Sequence, residues 1–215
     1  PEEYAPVLAA NLGLAPGPSP EDRLKGRVPE GFRAVIVGAG MSGILAAIRL
    51  GAAGVPYVVL EAGEDVGGTW RENRYPGAGV DTPNHLYSYS FAPHDWAHYF
   101  ALQPEIEAYF RTVAEDWGVL PNVRFRTRVT GARWDEGAAR WRVETEGGEA
   151  FDADLLVSAV GVLNLPKRPD IPGVESFPGP CFHSAEWPEG LDLRGRRVAI
   201  VGNGASAMQI APAIA

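Results

Sequence analysis

The sequence predicts an α/β fold built on a parallel β-sheet, and three observations predict it. First, a short apolar run, FRAVIVGAG (32–40), leads into glycines, MSGILAAIRLGAAG (41–54) has helical spacing, and PYVVLEA (56–62) is a second apolar run. Second, these runs are continuously apolar rather than alternating, as strands covered on both faces are. Third, the order recurs. RRVAIV (196–201) again leads into glycines and a helical stretch, GNGASAMQIAPAIA (202–215).

The elements follow in order. EEYAPVLAANLG (2–13) has the character of a short helix, and APGPSPEDRLKGRVPEG (15–31) reads as a Pro- and Gly-rich linker, so residues 1–31 form an extension. Residues 32–62 are a βαβ unit whose helix ends at a glycine. Residues 62–100 are mostly loop, and so long an irregular segment usually wraps a ligand. QPEIEAYFRTVAEDWG (103–118) is a helix with a charged outer face. VRFRTRVTGARWD (123–135) and RWRVETEGG (140–148) alternate, which suits a meander with one wet face. AFDADLLVSAVG (150–161) is apolar and is expected to return to the parallel sheet. VLNLPKRPDIPGVESFPGP (162–180) is a Pro-rich connector. Domain boundaries are therefore expected at 32–160, a first domain segment, 161–194, an interdomain linker, and 195–215, the start of a second domain.

Composition narrows the function classes. The 215 residues are 46% hydrophobic and 21% charged, ordinary for a globular protein. A formal net charge of -8 argues against a nucleic-acid or anionic-membrane surface. No apolar run approaches the roughly 20 residues of a membrane span, and the N-terminal residues lack the pattern of a signal peptide. Cys181 is the single cysteine, so an intrachain disulfide and a cysteine-based metal cluster are both excluded. These features fit a cytoplasmic location.

The glycine loops carry the first chemical signal. In Gly38-Ala39-Gly40-Met41-Ser42-Gly43, Gly38 permits the tight turn, Gly40 lets backbone approach a pyrophosphate, and Gly43 lets helix and strand pack closely. The following helix presents free N–H groups and the positive end of its dipole to the phosphates. Glu61 lies 18 residues beyond Gly43 at the end of the second strand, where its carboxylate can accept from a ribose diol. That carboxylate repels a 2′-phosphate, so the loop is expected to hold FAD or NAD rather than NADP. The second loop runs Gly202-Asn203-Gly204-Ala205-Ser206-Ala207, with Ala in place of the third glycine. Two loops imply two dinucleotides, a flavin and a nicotinamide that reduces it. VGGTW (66–70) follows the acidic strand end; Gly67-Gly68 can pass close to a ligand, and Trp70 can cover a flat ring or simply pack.

Read together, GAGMSG, Glu61, GGTW, NRYPGAGVDTPNHLYSYSF (73–91), QPEI (103–106) and FPGPCFHSAEWP (177–188) resemble the Baeyer–Villiger monooxygenases, the class B flavoprotein monooxygenases. The last stretch matches that family's fingerprint at Phe177, Gly179, His183, Trp187 and Pro188. The wording is closest to the 4-hydroxyacetophenone-type branch, which carries an N-terminal extension. The resemblance covers residues 30–215 and implies a two-dinucleotide-binding, Rossmann-like fold in which an NADP domain is inserted into an FAD domain. It also implies an N-terminal fragment, since the second unit starts at residue 195 and is not completed, and such a fragment is expected to be inactive alone.

The implied reaction uses FAD and NADP(H). NADPH reduces the flavin, oxygen adds to give a peroxyflavin, and one oxygen atom is inserted into a ketone, with aryl ketones favoured by the branch. The product is an ester or lactone. The resemblance places Gly38, Gly40, Met41, Ser42, Gly43, Glu61, Gly68, Thr69, Trp70, Asp81, Tyr87 and Val129 at the flavin, and Gly202, Gly204, Ala205 and Ser206 at the nicotinamide cofactor. Asp81 carries over as the acidic position after the YPG motif, orienting an arginine; its plain alternative is an Asx turn before Thr82-Pro83. Many relatives have arginine where this chain has Gly79. For Tyr87 and Val129 the alternative is core packing. His85, His94 and His98 read as packed or surface histidines rather than metal ligands. His183 belongs to a linker that couples the two domains rather than acting as a base, with Trp187-Pro188 as its anchor. Two alternatives stand beside ketone oxygenation: an N- or S-oxygenating flavin monooxygenase and a non-catalytic flavin-binding module. A flavin disulfide reductase lacks its paired cysteines in this chain.

Overall fold

The computed structural model describes residues 24–215 together with Ala9. The helix expected over 2–13 otherwise lies outside the described residues. Strand β1 (Ala34–Val37) is an inner strand of a four-stranded parallel sheet, whose order is β3 (Val123–Arg124), β2 (Tyr57–Leu60), β1, β7 (Leu155–Ser158). It pairs in register with β2 on one side and β7 on the other, so Ala34 faces Tyr57 and Leu155. β3 adds the edge next to β2. Helix α1 (Met41–Ala52) makes the crossover from β1 to β2 and ends at Gly54, whose φ of +75° stops it. A second, antiparallel sheet has the order β4 (Val129–Asp135), β5 (Arg140–Thr145), β6 (Ala150–Ala153).

The two faces of the parallel sheet explain why its strands are apolar throughout. Ile36 and Val59 point to one face, against Ile44, Ala47 and Ile48 of α1 and Ile106, Phe110 and Val113 of α3 (Gln103–Asp116). Val35 and Leu60 point to the other, against Val143 and Ala153 of the antiparallel sheet. Phe110, Ile36 and Ile44 are completely buried. At about 1.5–3 kcal/mol for each buried large apolar side chain, this core is the main stabilising term.

Three expectations need correction. The run 123–135 is two strands, not one. Thr127 N–H donates to the Glu61 carbonyl and Arg126 N–H to the Gly63 carbonyl, and Arg126 takes φ +53°, so the chain leaves the parallel sheet and enters the other. The run 150–161 is likewise two strands. Its break is at Asp154, whose carboxylate accepts the Arg33 N–H at 2.9 Å while its own N–H donates to the Arg33 carbonyl. Residues 196–203 do not form the strand expected before the second glycine loop. Among the described residues none pairs with this segment, and Val201 is 70% exposed; an extended run without a ladder partner has neither the hydrogen bonds nor the covered face of a strand. The helix after it, α4 (Ala205–Ile214), does form.

Candidate functional site

The site is built at the carboxyl ends of β1 and β2, where open parallel sheets bind ligands. Gly38 follows β1 with φ +99°, and a Cβ there would lie 2.5 Å from the Ala159 carbonyl oxygen at the end of β7. A Cβ on Gly43 would overlap the Gly38 carbonyl oxygen outright. Helix α1 therefore rests directly on the turn, and its first turn has no intrahelical acceptors for its N–H groups. Met41 and Ser42 lie exposed in that turn.

Glu61 closes the turn from below. Its Oε2 accepts the Ala39 N–H at 2.6 Å and its Oε1 accepts the Gly63 N–H at 2.6 Å. A carboxylate has about four lone-pair sites, so two remain for hydroxyl donors. The backbone around it is doubly held: Glu61 N–H donates to Arg124 and its carbonyl accepts from Thr127. Val129 starts β4 just beyond, half-buried against the cluster that contains Leu60. Gly67 N–H donates to the Ala39 carbonyl at 3.0 Å, which lays the GG turn over the first loop. At Gly68, φ is +54° and a Cβ would sit 2.9 Å from the Gly40 Cα. The spacing of GAG and GGTW thus has a physical cause: two glycine backbones touch.

From there a short helix, α2 (Thr69–Glu72), presents Trp70. The Trp70 Nε1–H donates to the Tyr87 hydroxyl at 2.9 Å, with the rings edge to face at 5.7 Å. The Trp70 carbonyl accepts from Gln103 Nε2, which also donates to Glu107 at 2.8 Å. Gln103, the first residue of QPEI, is buried, and its role is to hold this turn. Asn84 of TPNH is buried too; it donates to the His98 carbonyl and accepts the Ala101 N–H. Sequence reasoning passed over both, although a buried amide at a loop corner is what a long ordered loop requires. It also passed over Tyr89, whose hydroxyl donates to the Met41 carbonyl at the start of α1 and whose N–H donates to the Tyr109 hydroxyl at 2.8 Å. Burial pushes the Tyr89 phenol far above its ordinary value, with the nearby Tyr109 and Tyr87 adding to this, so it remains a donor at any working pH.

Asp81 is exposed on this loop, with the Thr82 hydroxyl 3.5 Å from its carboxylate. Gly79 bridges to Leu102, and a Cβ at Gly79 would already lie 2.8 Å from the Ala101 carbonyl oxygen. The Glu72 carboxyl, at the exposed end of this turn, is raised from its ordinary value by partial desolvation first and by the Glu61 charge second, with the Arg128 and Arg71 charges opposing the shift. Residues 38–43, 61, 68–70 and 87 are thus brought together, with Asp81 on the same loop system.

The second group lies apart. Gly202 (φ +122°) and Gly204 precede α4, and Gly204, Ala205 and their neighbours are exposed; Ser206 is half-buried. In the linker, the His183 Nδ1 accepts the Ala185 N–H at 3.1 Å and starts a single 3₁₀ turn, Ser184–Glu186. Trp187 packs edge to face on Phe182, and Gly179 leaves room for the Phe177 ring. His183 is therefore bonded within its own linker. Among the described residues, no group of three His, Cys, Asp or Glu side chains converges as a metal site. No helix among them is long and apolar enough to cross a membrane.

This arrangement defines a class, a dinucleotide-binding fold with a second glycine-loop unit. The model of the flavin-binding monooxygenase-like family matches residues 31–215, and the chain belongs to that family. It is 48% identical, over 87% of its length, to a Baeyer–Villiger monooxygenase of Streptomyces coelicolor, and 43% identical, over all of it, to the uncharacterized monooxygenase y4iD of Sinorhizobium fredii. Among solved structures it is similar to OTEMO in complex with FAD and NADP, at a TM-score of 0.81 and 41% identity over 86% of the chain. The chain spans about a third of each relative: 36%, 33% and 37% of their lengths.

Proposed function

We propose that these residues belong to an NADPH-dependent Baeyer–Villiger monooxygenase and form most of one wall of its FAD site. The observation that carries this is the backbone stack of Gly40 on Gly68 above the Glu61 carboxylate, which makes a cradle that any side chain would fill. The residues fit FAD. The N–H groups at the start of α1, including those of Met41 and Ser42, hold a pyrophosphate. The free lone pairs of Glu61 accept from a ribose. Trp70 and Tyr87, with Thr69 at the start of their turn, cover a flat ring, and Val129 lines the adenine side through its backbone. Bound FAD would supply the redox chemistry, with NADPH as the reductant and O2 as the source of the one oxygen atom inserted into a ketone, the other leaving as water.

The chain's own residues do the rest. The loop 66–91 shields the site from water, held by Gln103, Asn84 and Tyr89. Asp81 offers an exposed carboxylate to orient a guanidinium beside the flavin. Gly202, Gly204, Ala205 and Ser206 offer the second helix N-terminus to NADP(H). The segment 161–194, with Phe177, Gly179, His183, Trp187 and Pro188, is the interdomain linker, between a first FAD segment (32–160) and the start of the NADP domain (195–215). The 4-hydroxyacetophenone-like wording of residues 40–70 and 81–91 supports aryl ketones as substrates, and the exposed lone thiol of Cys181 suits a cytoplasmic protein. The test is incubation of the whole protein with FAD, NADPH and panels of ketones and amines. Esters or lactones from ketones support the reading; amine oxides without any ester overturn it in favour of N-oxygenation.

A further inference from the structure

Helix α4 meets the YPG turn in a way that dinucleotide binding alone does not require. The Tyr75 hydroxyl donates to Gln209 Oε1 at 2.9 Å, and Gln209 Nε2 donates to the Gly79 carbonyl at 2.8 Å. Both ends of one amide are thus satisfied by one turn, across 134 residues of sequence. Gly77 touches the helix backbone: a Cβ there would lie 2.6 Å from the Gln209 carbonyl oxygen and 3.1 Å from the Ala213 Cβ. On its far side the same turn is pinned to the start of α3, with Val80 N–H donating to Ala101 at 3.1 Å and Gln103 N–H donating to the Ala78 carbonyl at 2.8 Å. Asp81 follows directly. Gln209 lies about one turn along from Ala205 at the helix start. Ile210 is the buried side chain of α4 among the described residues, so the turn, rather than a deep core, is what α4 grips.

We propose that Gln209 is a positioning residue that ties the helix of the second glycine loop to the turn presenting Asp81, coupling the two dinucleotide sites through residues 75–81. This rests on the two-site reading above. A rigid helix displaced at its N-terminus moves Gln209 with it, and the two-ended amide passes that movement to the Gly79 carbonyl, two residues from Asp81. Coupling of this kind is reciprocal. Alanine has a higher helix propensity than glutamine, so the Gln209→Ala helix itself is not weakened.

Two measurements test it. Hydrogen exchange compares wild type with Gln209→Ala; we expect amides of residues 77–82 to exchange about tenfold faster in the variant, with those of α1 unchanged. Equal exchange in 77–82 overturns the tie. FAD affinity is then measured with and without saturating NADP+. We expect a wild-type ratio of about threefold or more, falling to near one in Gln209→Ala. A wild-type ratio of one, or an undiminished ratio in the variant, overturns the coupling. Absence of any FAD binding removes the proposed function and the coupling with it, whereas the exchange data still decide the tie. Should Gln209→Ala not fold, Tyr75→Phe removes one of the two bonds and serves with the same readouts.

Discussion

At Gly43 there is no room for even one methyl group, because a Cβ would occupy the position of the Gly38 carbonyl oxygen. Gly43→Ala should therefore destabilise the fold by about 3 kcal/mol or more, read as a lowered denaturation midpoint or insoluble expression. Glu61 has a different signature. Removing its carboxylate orphans the Ala39 and Gly63 N–H groups together, so Glu61→Ala should cost about 2–3 kcal/mol in chemical denaturation as well as cofactor affinity. Glu72 gives a pH test. Its folded carboxyl is raised above the ordinary 4.5, so the fold favours the protonated form. That contribution is fully present below the ordinary value and is lost as pH rises through the folded one. Glu72→Gln should then raise the thermal midpoint at pH 7 and leave it unchanged in acid; the opposite trend would show that the Glu72 charge is favourably paired.

At the scale of elements, the long loop 62–101 is ordered by side chains that reach across it. Tyr89 ties it to the first turn of α1 and, through Tyr109, to α3. Tyr89→Phe keeps the ring packing and removes one part-buried bond, the one from the loop to the Met41 carbonyl. It should cost about 1–2 kcal/mol in denaturant unfolding and loosen the loop before the sheet. The sheet and its crossover helix were legible because each rests on a local pattern: an apolar run at Ala34–Val37, a 3.6-residue period over Met41–Ala52, and a glycine stop. The splits at Arg126 and Asp154 were not legible. Each is a corner made by a partner far along the chain, Gly63 in one case and Arg33 in the other, and no local period marks them. The strand expected at 196–201 failed for the complementary reason: its apolar pattern is right, but a strand is a property of a pair.

Over the whole molecule, the candidate site was legible as a set of motifs and not as a geometry. GAGMSG, Glu61 and GGTW could each be singled out, while the contact of Gly40 with Gly68 that makes them one cradle appears only in the fold. Asn84, Tyr89, Gln103 and Gln209 escaped notice because they act by bridging segments, and one amide or phenol in a loop has no spacing to betray it. The apolar side chains left exposed along 160–201, such as Val162, Leu163, Leu165 and Val201, lie outside the packed core formed by residues 34–158.

Residues 38–43, 61 and 66–70 are proposed to form a single site for a flavin dinucleotide. Fluorescence titration of the protein with FAD, and separately with riboflavin, tests it most directly. A site built around a pyrophosphate and a ribose binds one FAD per chain, at least about tenfold more tightly than riboflavin, a difference of about 1.4 kcal/mol or more. Equal affinity for the two, or no binding of FAD by the whole protein, would contradict a single dinucleotide site.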